Sequence, residues 1–436
     1  MYFAISVAAV TCVAMIAAVL FFPTIRIKKL SVSSYWIVTL IGAIVLLISG
    51  IADIKSVGAA MVANTAINPV KILVLFISMT VLSIFLDELG FFKYLASCAL
   101  KRAGNSQLRL FIILYATVSI LTVFTSNDII ILSFTPFVCY FAKNAKIDPM
   151  PYLAAEFVAA NTWSMALIIG NPTNIYLVTA TGGSFVSYVA IMLLPTLAAG
   201  LLSCLILLLI FRKKLLAPIN VSYEEVVIED KLLLWSGIAH LAICTVILAV
   251  GSYINIEMWL VSLISVLSLF AFNIVASIIR KKKPLALLAC LRRAPWELVP
   301  FVLSMFVIVE ALNMTGVTKE IFELLGESYS VWKYGAASFL ASNLINNIPM
   351  SVLFSSILEN SPDNMGAIYA TVVGSNLGAC FTPIGALAGI MWSSILREHN
   401  LKFGYLDFLK IGVLVAIPSL AAALGVIVLI SGVAFA

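Results

Sequence analysis

Charge is what this 436-residue chain has least of. Asp, Glu, Lys and Arg together make up 11% of it, against about 25% in soluble domains. That scarcity excludes a soluble globular enzyme and a solvated disordered chain. A net charge of +6 spread over such a chain also forms no basic face for nucleic acid. Only two histidines are present, His240 and His399, and they are isolated, which leaves no imidazole relay and no metal cluster. The seven cysteines (Cys12, Cys98, Cys139, Cys204, Cys244, Cys290, Cys380) show no CxxC and no paired spacing. They read as small apolar filler, without a disulfide framework or zinc site. No GxxxxGK[ST] phosphate loop occurs, so the chain has no ATPase of its own, and no cofactor is expected. A secretory leader is missing too. The first charges, Arg26, Lys28 and Lys29, follow the first apolar run, and that run is long enough to span a bilayer.

What is present is apolar. Hydrophobic residues make up 63% of the chain and the mean hydropathy is +1.13. Apolar stretches follow one another from 3–22 to 405–432, and ten of them reach span length at about 20 residues each. Two segments differ. The first, about 110–142, is interrupted by Ser126-Asn127-Asp128, and the second, about 331–358, by Asn346-Asn347. Both read as re-entrant hairpins, which are tolerated only where irregular backbone lines a protein-enclosed cavity. The expected fold is an all-α polytopic membrane protein, with ten transmembrane helices and two re-entrant hairpins.

The distribution of basic residues fits that reading. With the 23–34 loop in the cytoplasm and each hairpin returning to its own side, 22 of the 26 Lys and Arg residues are cytoplasmic. Lys55, Lys71, Lys319 and Lys333 are the exceptions. Both termini are then external, in a multi-pass protein of the plasma (cell inner) membrane. Arg109, Lys143 and Lys146 flank the first hairpin, which enters from the cytoplasm. Glu327, Glu359 and Asp363 flank the second, which enters from outside. Two sets of five spans with oppositely entering hairpins make an inverted repeat, with halves 1–211 and 232–436. The polar 212–231 segment, with Glu224-Glu225 and Glu229-Asp230, is a solvated cytoplasmic linker.

The halves also share motifs. Asn127 pairs with Asn346 at an offset of 219, Asn161 with Asn376 at 215, and Asn171 with Thr382 at 211. Internal similarity of this kind marks a two-fold transporter. Besides the hairpin tips, two long spans are broken, at Gly170-Asn171-Pro172-Thr173-Asn174 and at Ser375-Asn376 with Thr382-Pro383. Asn171 before Pro172, and Thr382 before Pro383, place a capping residue ahead of a proline at the first helical position; Asn347 with Pro349 is a looser version. Restarted helices offer free N–H groups to oxygen-rich or anionic solutes, and the facing C-terminal ends offer carbonyls to a cation or proton carrier. Asn, Pro and Gly also kink and pack spans. Four breaks at repeat-related positions point beyond packing, to a central substrate site made of Ser126, Asn127, Asn161, Asn171, Thr173, Asn174, Asn346, Asn347, Ser375, Asn376 and Thr382.

Carboxylates come next. A charge at mid-bilayer costs at least about 2.5–3.5 kcal/mol unless protonated or paired. Asp128, at the first hairpin tip, is therefore the candidate for proton coupling, the alternative being a helix cap. Glu156, five residues before Asn161, is a second candidate, and Glu310 within the 296–313 stretch a third; either also suits a structural partner of a hydroxyl or amide. Asp87-Glu88 ends a span before Gly90 and reads as interfacial. Trp163 either lines the cavity or packs the repeat interface.

Several motifs resemble the arsenite/antimonite efflux permeases of the ion transporter superfamily. They are Phe85-Leu86-Asp87-Glu88-Leu89-Gly90-Phe91-Phe92, Asn127-Asp128 with Thr135-Pro136, Ala294-Pro295-Trp296, Asn346-Asn347-Ile348-Pro349, and Gly378 to Thr382-Pro383-Ile384-Gly385. The resemblance runs over nearly the whole chain. It implies extrusion of trivalent arsenic or antimony coupled to protons, with a cytoplasmic ATPase subunit docking in some relatives. Asn376 and Cys380 stand where arsenical permeases commonly carry aspartate and lysine, and Gly170-Asn171-Pro172-Thr173-Asn174 is closer to the citrate and inorganic-anion branch. The alternatives are therefore a proton- or sodium-coupled anion carrier, or a sodium/proton antiporter. Arsenite at neutral pH is mostly the uncharged trihydroxide, which suits amides and hydroxyls and tolerates an acidic Asp128. Cys380 is a candidate for a single soft contact with arsenic, and equally a small packing residue.

Overall fold

The computed structural model describes residues 1–22, 24–27, 30–63, 68–179, 184–217, 226–251, 256–401 and 403–432. Lys28, Lys29, Glu224-Glu225 and Lys402 lie outside them. The described chain is helical apart from one short hairpin. It begins with α1 (Tyr2–Phe21), the antiparallel strands β1 (Thr24–Ile27) and β2 (Leu30–Ser33), α2 (Ser34–Ile48), α3 (Ile54–Val62), α4 (Pro69–Glu88) and α5 (Phe91–Ala103). Next come α6 (Gln107–Phe124), α7 (Asn127–Ala145), α8 (Met150–Trp163), α9 (Pro172–Thr179) and α10 (Phe185–Leu215). The second half repeats the pattern as α11 (Lys231–Gly251), α12 (Met258–Ile279), α13 (Leu285–Arg293), α14 (Leu298–Met314) and α15 (Val317–Leu325). It ends with α16 (Ser330–Ile345), α17 (Asn347–Leu358), α18 (Met365–Gly378), α19 (Leu387–Glu398) and α20 (Tyr405–Ser431).

Among the described residues, eight helical stretches, one of them running over α13 and α14, are long and apolar enough to cross a membrane by length and composition. They include seven of the ten expected spans together with α6. The other three expected spans are short or broken: α2 has 15 residues, and the spans α8–α9 and α18–α19 are each interrupted. The 23–34 connection, expected as a plain loop, is instead paired as strands, Ile25 facing Val32.

Packing recurs with a shift of ten helices. Helix α2 packs on α14 and α12 on α4; α6 on α8 and α16 on α18; α9 on α17 and α19 on α7. Helices α10 and α20, equivalent under the shift, pack on each other. The recurrence gives better offsets than the motifs do. Met150 and Met365, the starts of α8 and α18, and Pro172 and Leu387, the starts of α9 and α19, are 215 apart, as are Asn161 and Asn376. Ala386, not Thr382, therefore occupies the place of Asn171.

Both hairpins turn back on themselves. Tyr152 at the start of α8 donates to Gln107 at the start of α6 at 2.9 Å. Asn127 at the start of α7 donates to Asn161 near the end of α8 at 3.1 Å, and Thr135 reaches back to Glu156 at 2.8 Å. So α6 runs with α8 and α7 returns against it. In the second hairpin, Ser330 and Asn364, at the starts of α16 and α18, meet at 3.2 Å. The hairpins open on opposite sides. Lys214 pairs with Asp148, joining the end of α10 to the start of α8, whereas Tyr188 near the start of α10 lies 5.9 Å from Tyr369 near the start of α18. The stretch of α10 between them is about 40 Å long at 1.5 Å per residue.

Two devices fix the scaffold. Arg293 at the end of α13 pairs with both Asp87 and Glu88 at the end of α4, so the carboxylates read as interfacial clamp the two halves together. Small residues let α16 and α18 approach closely, as in other membrane helix pairs. A Cβ on Gly374 would lie 2.1 Å from Ser338 Oγ, and one on Gly378 2.0 Å from Ser342 Oγ. Overpacking of this kind costs about 1–3 kcal/mol. Gly378→Ala should therefore lower the unfolding temperature in detergent, while Gly425→Ala, with open space around its Cβ, should leave it unchanged or raise it.

Candidate functional site

The site starts from four places where a helix stops or begins inside the protein. Helix α7 begins at Asn127, its first turn carrying Asp128. Helix α17 begins at Asn347, and its cap is Asn346, whose side chain accepts from Ile348 N at 3.3 Å. Asn346 adopts φ 71° and ψ 152°, backbone outside αL that residues other than glycine rarely occupy. Asn347 contributes its backbone N–H, donated to Gly385 O at 3.0 Å. In the first broken span α8 gives way to two short 3₁₀ turns, and α9 restarts at Pro172. Asn171 caps it as the Asn-Pro order predicts, accepting from Thr173 N at 3.2 Å.

The second broken span departs from expectation. Pro383 does not open a helix: α19 starts only at Leu387. Thr382 caps nothing there. Its hydroxyl donates to Asn343 Oδ1 at 2.6 Å. Asn343 in turn donates to Gly378 O at 3.1 Å, and Asn346 donates to Ile384 O at 3.1 Å. The unwound 379–386 stretch is thus held by side chains of the second hairpin, which satisfy carbonyls that a continuous helix would have used.

Within the site, Asn376 links the two broken spans. Asn376 on α18 accepts from Ser164 Oγ at 2.8 Å and from Asn171 Nδ2 at 2.9 Å, and donates to Asn174 Oδ1 at 2.7 Å. Asn174 donates to the carbonyls of Ser164 and Leu167 at 2.9 and 3.1 Å. Asn161, the counterpart of Asn376, holds Asn127. Asn161, Asn171, Asn174 and Asn376 are all buried. A continuous network of amides and hydroxyls therefore runs from the first hairpin tip through the first break to α18. Thr382 and Asn346 belong to a neighbouring group, reached from Asn376 through Gly378. Ser164 and Asn343 are members that the sequence reading missed. Each lies three residues from a recognised asparagine, Asn161 and Asn346, and that helical spacing was the available signal.

Among the buried side-chain oxygens with no hydrogen-bond partner are Ser126 Oγ, Asn127 Oδ1, Thr173 Oγ1 and Ser375 Oγ, each on a residue of this network or within two residues of one in the chain. Buried polar atoms are ordinarily paired, so a group of unpaired ones asks for an explanation. The carboxylates divide. Glu156 is fully buried; one of its oxygens accepts from Thr135 and the other, Oε2, has no partner. Asp128 is partly exposed, and its carboxylate and that of Glu297 lie within electrostatic reach of the Tyr35 phenol. Trp163 packs on Gly200 and donates to Tyr115 at 3.4 Å, an anchoring role. Cys380 is buried. Among the described residues no group of three or more His, Cys, Asp or Glu side chains is placed to hold a metal ion.

The paired and unpaired atoms differ in what their removal costs. Asn174→Ala removes one acceptor and two donors from a buried network, and each buried group left unpaired costs about 1–3 kcal/mol. It should lower the unfolding temperature clearly. Thr173→Val and Ser375→Ala break no side-chain hydrogen bond and should leave that temperature nearly unchanged.

Comparison with known proteins gives the same architecture. A protein-family model described as "Citrate transporter" matches residues 2–371. An arsenical pump membrane protein of Escherichia coli is 27% identical over 419 residues, covering 90% of this chain and 93% of that one. A putative arsenical pump membrane protein of Bacillus subtilis is 23% identical over 407 residues, covering 86% and 89%. The crystal structure of the Alcanivorax borkumensis YdaH transporter, described as having an unusual topology, superposes with a TM-score of 0.58 at 13% identity, covering 99% of this chain and 98% of that one. At that identity the likeness concerns the fold.

Proposed function

The chain belongs to the citrate transporter family, as an arsenical-pump-like permease of the ion transporter superfamily, and on that premise we propose that it is a secondary-active carrier exporting arsenite and antimonite in exchange for protons. The halves 1–211 and 232–436, joined by the 212–231 linker, enclose the solute between them at the plasma membrane. The proton or a sodium ion is the coupling partner, and a cytoplasmic ATPase subunit is an optional one. The carrier has no catalytic residues.

The observation that carries this reading is the group of unpartnered buried oxygens on residues of the Asn376 network and their near neighbours in the chain. Its side chains are neutral amides and hydroxyls, able both to donate and to accept. Such a surface matches an uncharged trihydroxide, whose O–H groups donate to Asn127 Oδ1 and exchange hydrogen bonds with Ser126, Thr173 and Ser375. It carries no cation to offset a dicarboxylate, and Asp128 beside it repels one. The supporting residues are Asn161, Asn171, Asn174, Asn346, Asn347, Asn376 and Thr382, which shape the cavity. Asp128 and Glu156 are the proton carriers in this reading: Glu156 has a free carboxylate oxygen, and Asp128 stands at the hairpin tip.

A second reading, a proton- or sodium-coupled carrier of citrate-like anions, follows the name of the matching family model. One experiment separates them. Proteoliposomes under a single imposed pH gradient should exchange arsenite or antimonite, and citrate or sodium should neither be carried nor collapse the gradient. Thr173→Val and Ser375→Ala should each raise the KM for arsenite about tenfold, the loss of roughly 1.4 kcal/mol of binding, without altering yield. Asp128→Asn should leave arsenite counterflow intact and abolish the response to the pH gradient. Unchanged proton dependence removes Asp128 from the mechanism, and citrate counterflow without arsenite counterflow reverses the order of the two readings.

A further inference from the structure

A cavity of about 310 Å³ opens on the side where α1 ends and α20 begins, with Pro383 and Ile384 in its wall and Arg397 among its lining residues. Those wall residues belong to the unwound stretch of the second broken span, and the Ile384 carbonyl is the one Asn346 holds. Phe403 and Phe408 line the same cavity from α20 and the connection before it. They also line a second, much smaller cavity of about 20 Å³, room for about one water molecule. Cys380 is among its lining residues.

The same pair of rings therefore lines both cavities. Phe403 stands 6.3 Å from Phe408 and 5.5 Å edge-on from Trp392, and Trp392 lies 5.7 Å from Phe408. No hydrogen bond fixes these rings. Phe403 is only partly buried and sits on a connection rather than a helix. Beyond them, the carbonyls of Cys380 and Phe381 rest against Gly412, where a Cβ would fall 2.7 and 2.5 Å away. Cys380 lies just past the end of α18, four residues after Asn376. Arg397 forms no ion pair among the described residues, and it places a free guanidinium at the cavity lining.

We propose that these cavities form one access route by which a small oxygen-rich solute reaches the broken helices, with Phe403 and Phe408 as its barrier and the Arg397 guanidinium as the hydrogen-bond donor that receives the solute's oxygens. The route rests on the central site proposed above, yet its test does not depend on that site.

The experiment uses the full chain in proteoliposomes and follows N-ethylmaleimide modification of each cysteine by peptide mass spectrometry. Phe403→Ala should raise the modification rate of Cys380 at least tenfold, with Cys244 and Cys290, both buried elsewhere, unmodified as in the parent protein. Cys380 remaining inert while those controls stay native overturns the barrier. If the controls react, the variant has unfolded, and Ser393→Cys decides. Ser393 lines the outer cavity, and a bulky maleimide on that cysteine should cut arsenite counterflow at least fivefold. Full activity after complete labelling overturns the route. Arg397→Gln should raise the KM for arsenite applied from that side several-fold at unchanged maximal rate. Loss of the Thr173 and Ser375 effects would remove the central site while leaving these cysteine reactivities in force.

Discussion

A backbone carbonyl or N–H exposed to hydrocarbon has no water to bond, so a chain inside a membrane must satisfy its own backbone. Every unusual feature of this protein follows from meeting that requirement at places where the helices break. The first break is closed by Asn174, which bonds the carbonyls of Ser164 and Leu167. The second is closed by Asn343 and Asn346, which bond those of Gly378 and Ile384. Asparagine recurs because a short amide both donates and accepts without adding charge.

Once side chains have closed the backbone, their remaining polar capacity becomes available. Asn376 spends its amide across the boundary between the halves, on Ser164, Asn171 and Asn174. The two broken spans are thereby one structural unit. The oxygens left without partners, on Ser126, Asn127, Thr173 and Ser375, are the surplus of this arrangement. A surplus of neutral hydroxyl and amide groups suits a neutral, hydroxylated solute, whereas a dianion needs a compensating cation. The citrate and arsenical readings differ on this point of charge, within one fold.

The scaffold around the breaks is ordinary membrane packing. Glycine and serine let α16 and α18 approach, and one arginine, Arg293, ties the end of α4 to α13 through two carboxylates. The contrast matters for function. Close-packed small residues and a forked ion pair resist displacement, whereas the partly exposed Phe403 ring meets buried Trp392 and Phe408 edge-on. A carrier needs parts that hold their shape and parts that give way, and here the chemistry of the contact distinguishes them.

Much of this was written in the one-dimensional pattern. Long apolar runs dictate helices in lipid, and polar triplets such as Ser126-Asn127-Asp128 mark where those helices cannot continue. Asn171 before Pro172 does cap a restarted helix, since the requirement is local: an acceptor followed by a residue without an N–H. The same argument failed at Thr382-Pro383, where the hydroxyl met Asn343 and α19 started at Leu387. Nor did sequence offsets reveal that Ala386 takes the place of Asn171, or that Ser164 and Asn343 join the polar network. Local chemistry could be read because it depends on neighbours in the chain. Which amide meets which carbonyl across 200 residues depends on how two halves pack, and only the folded protein decides that.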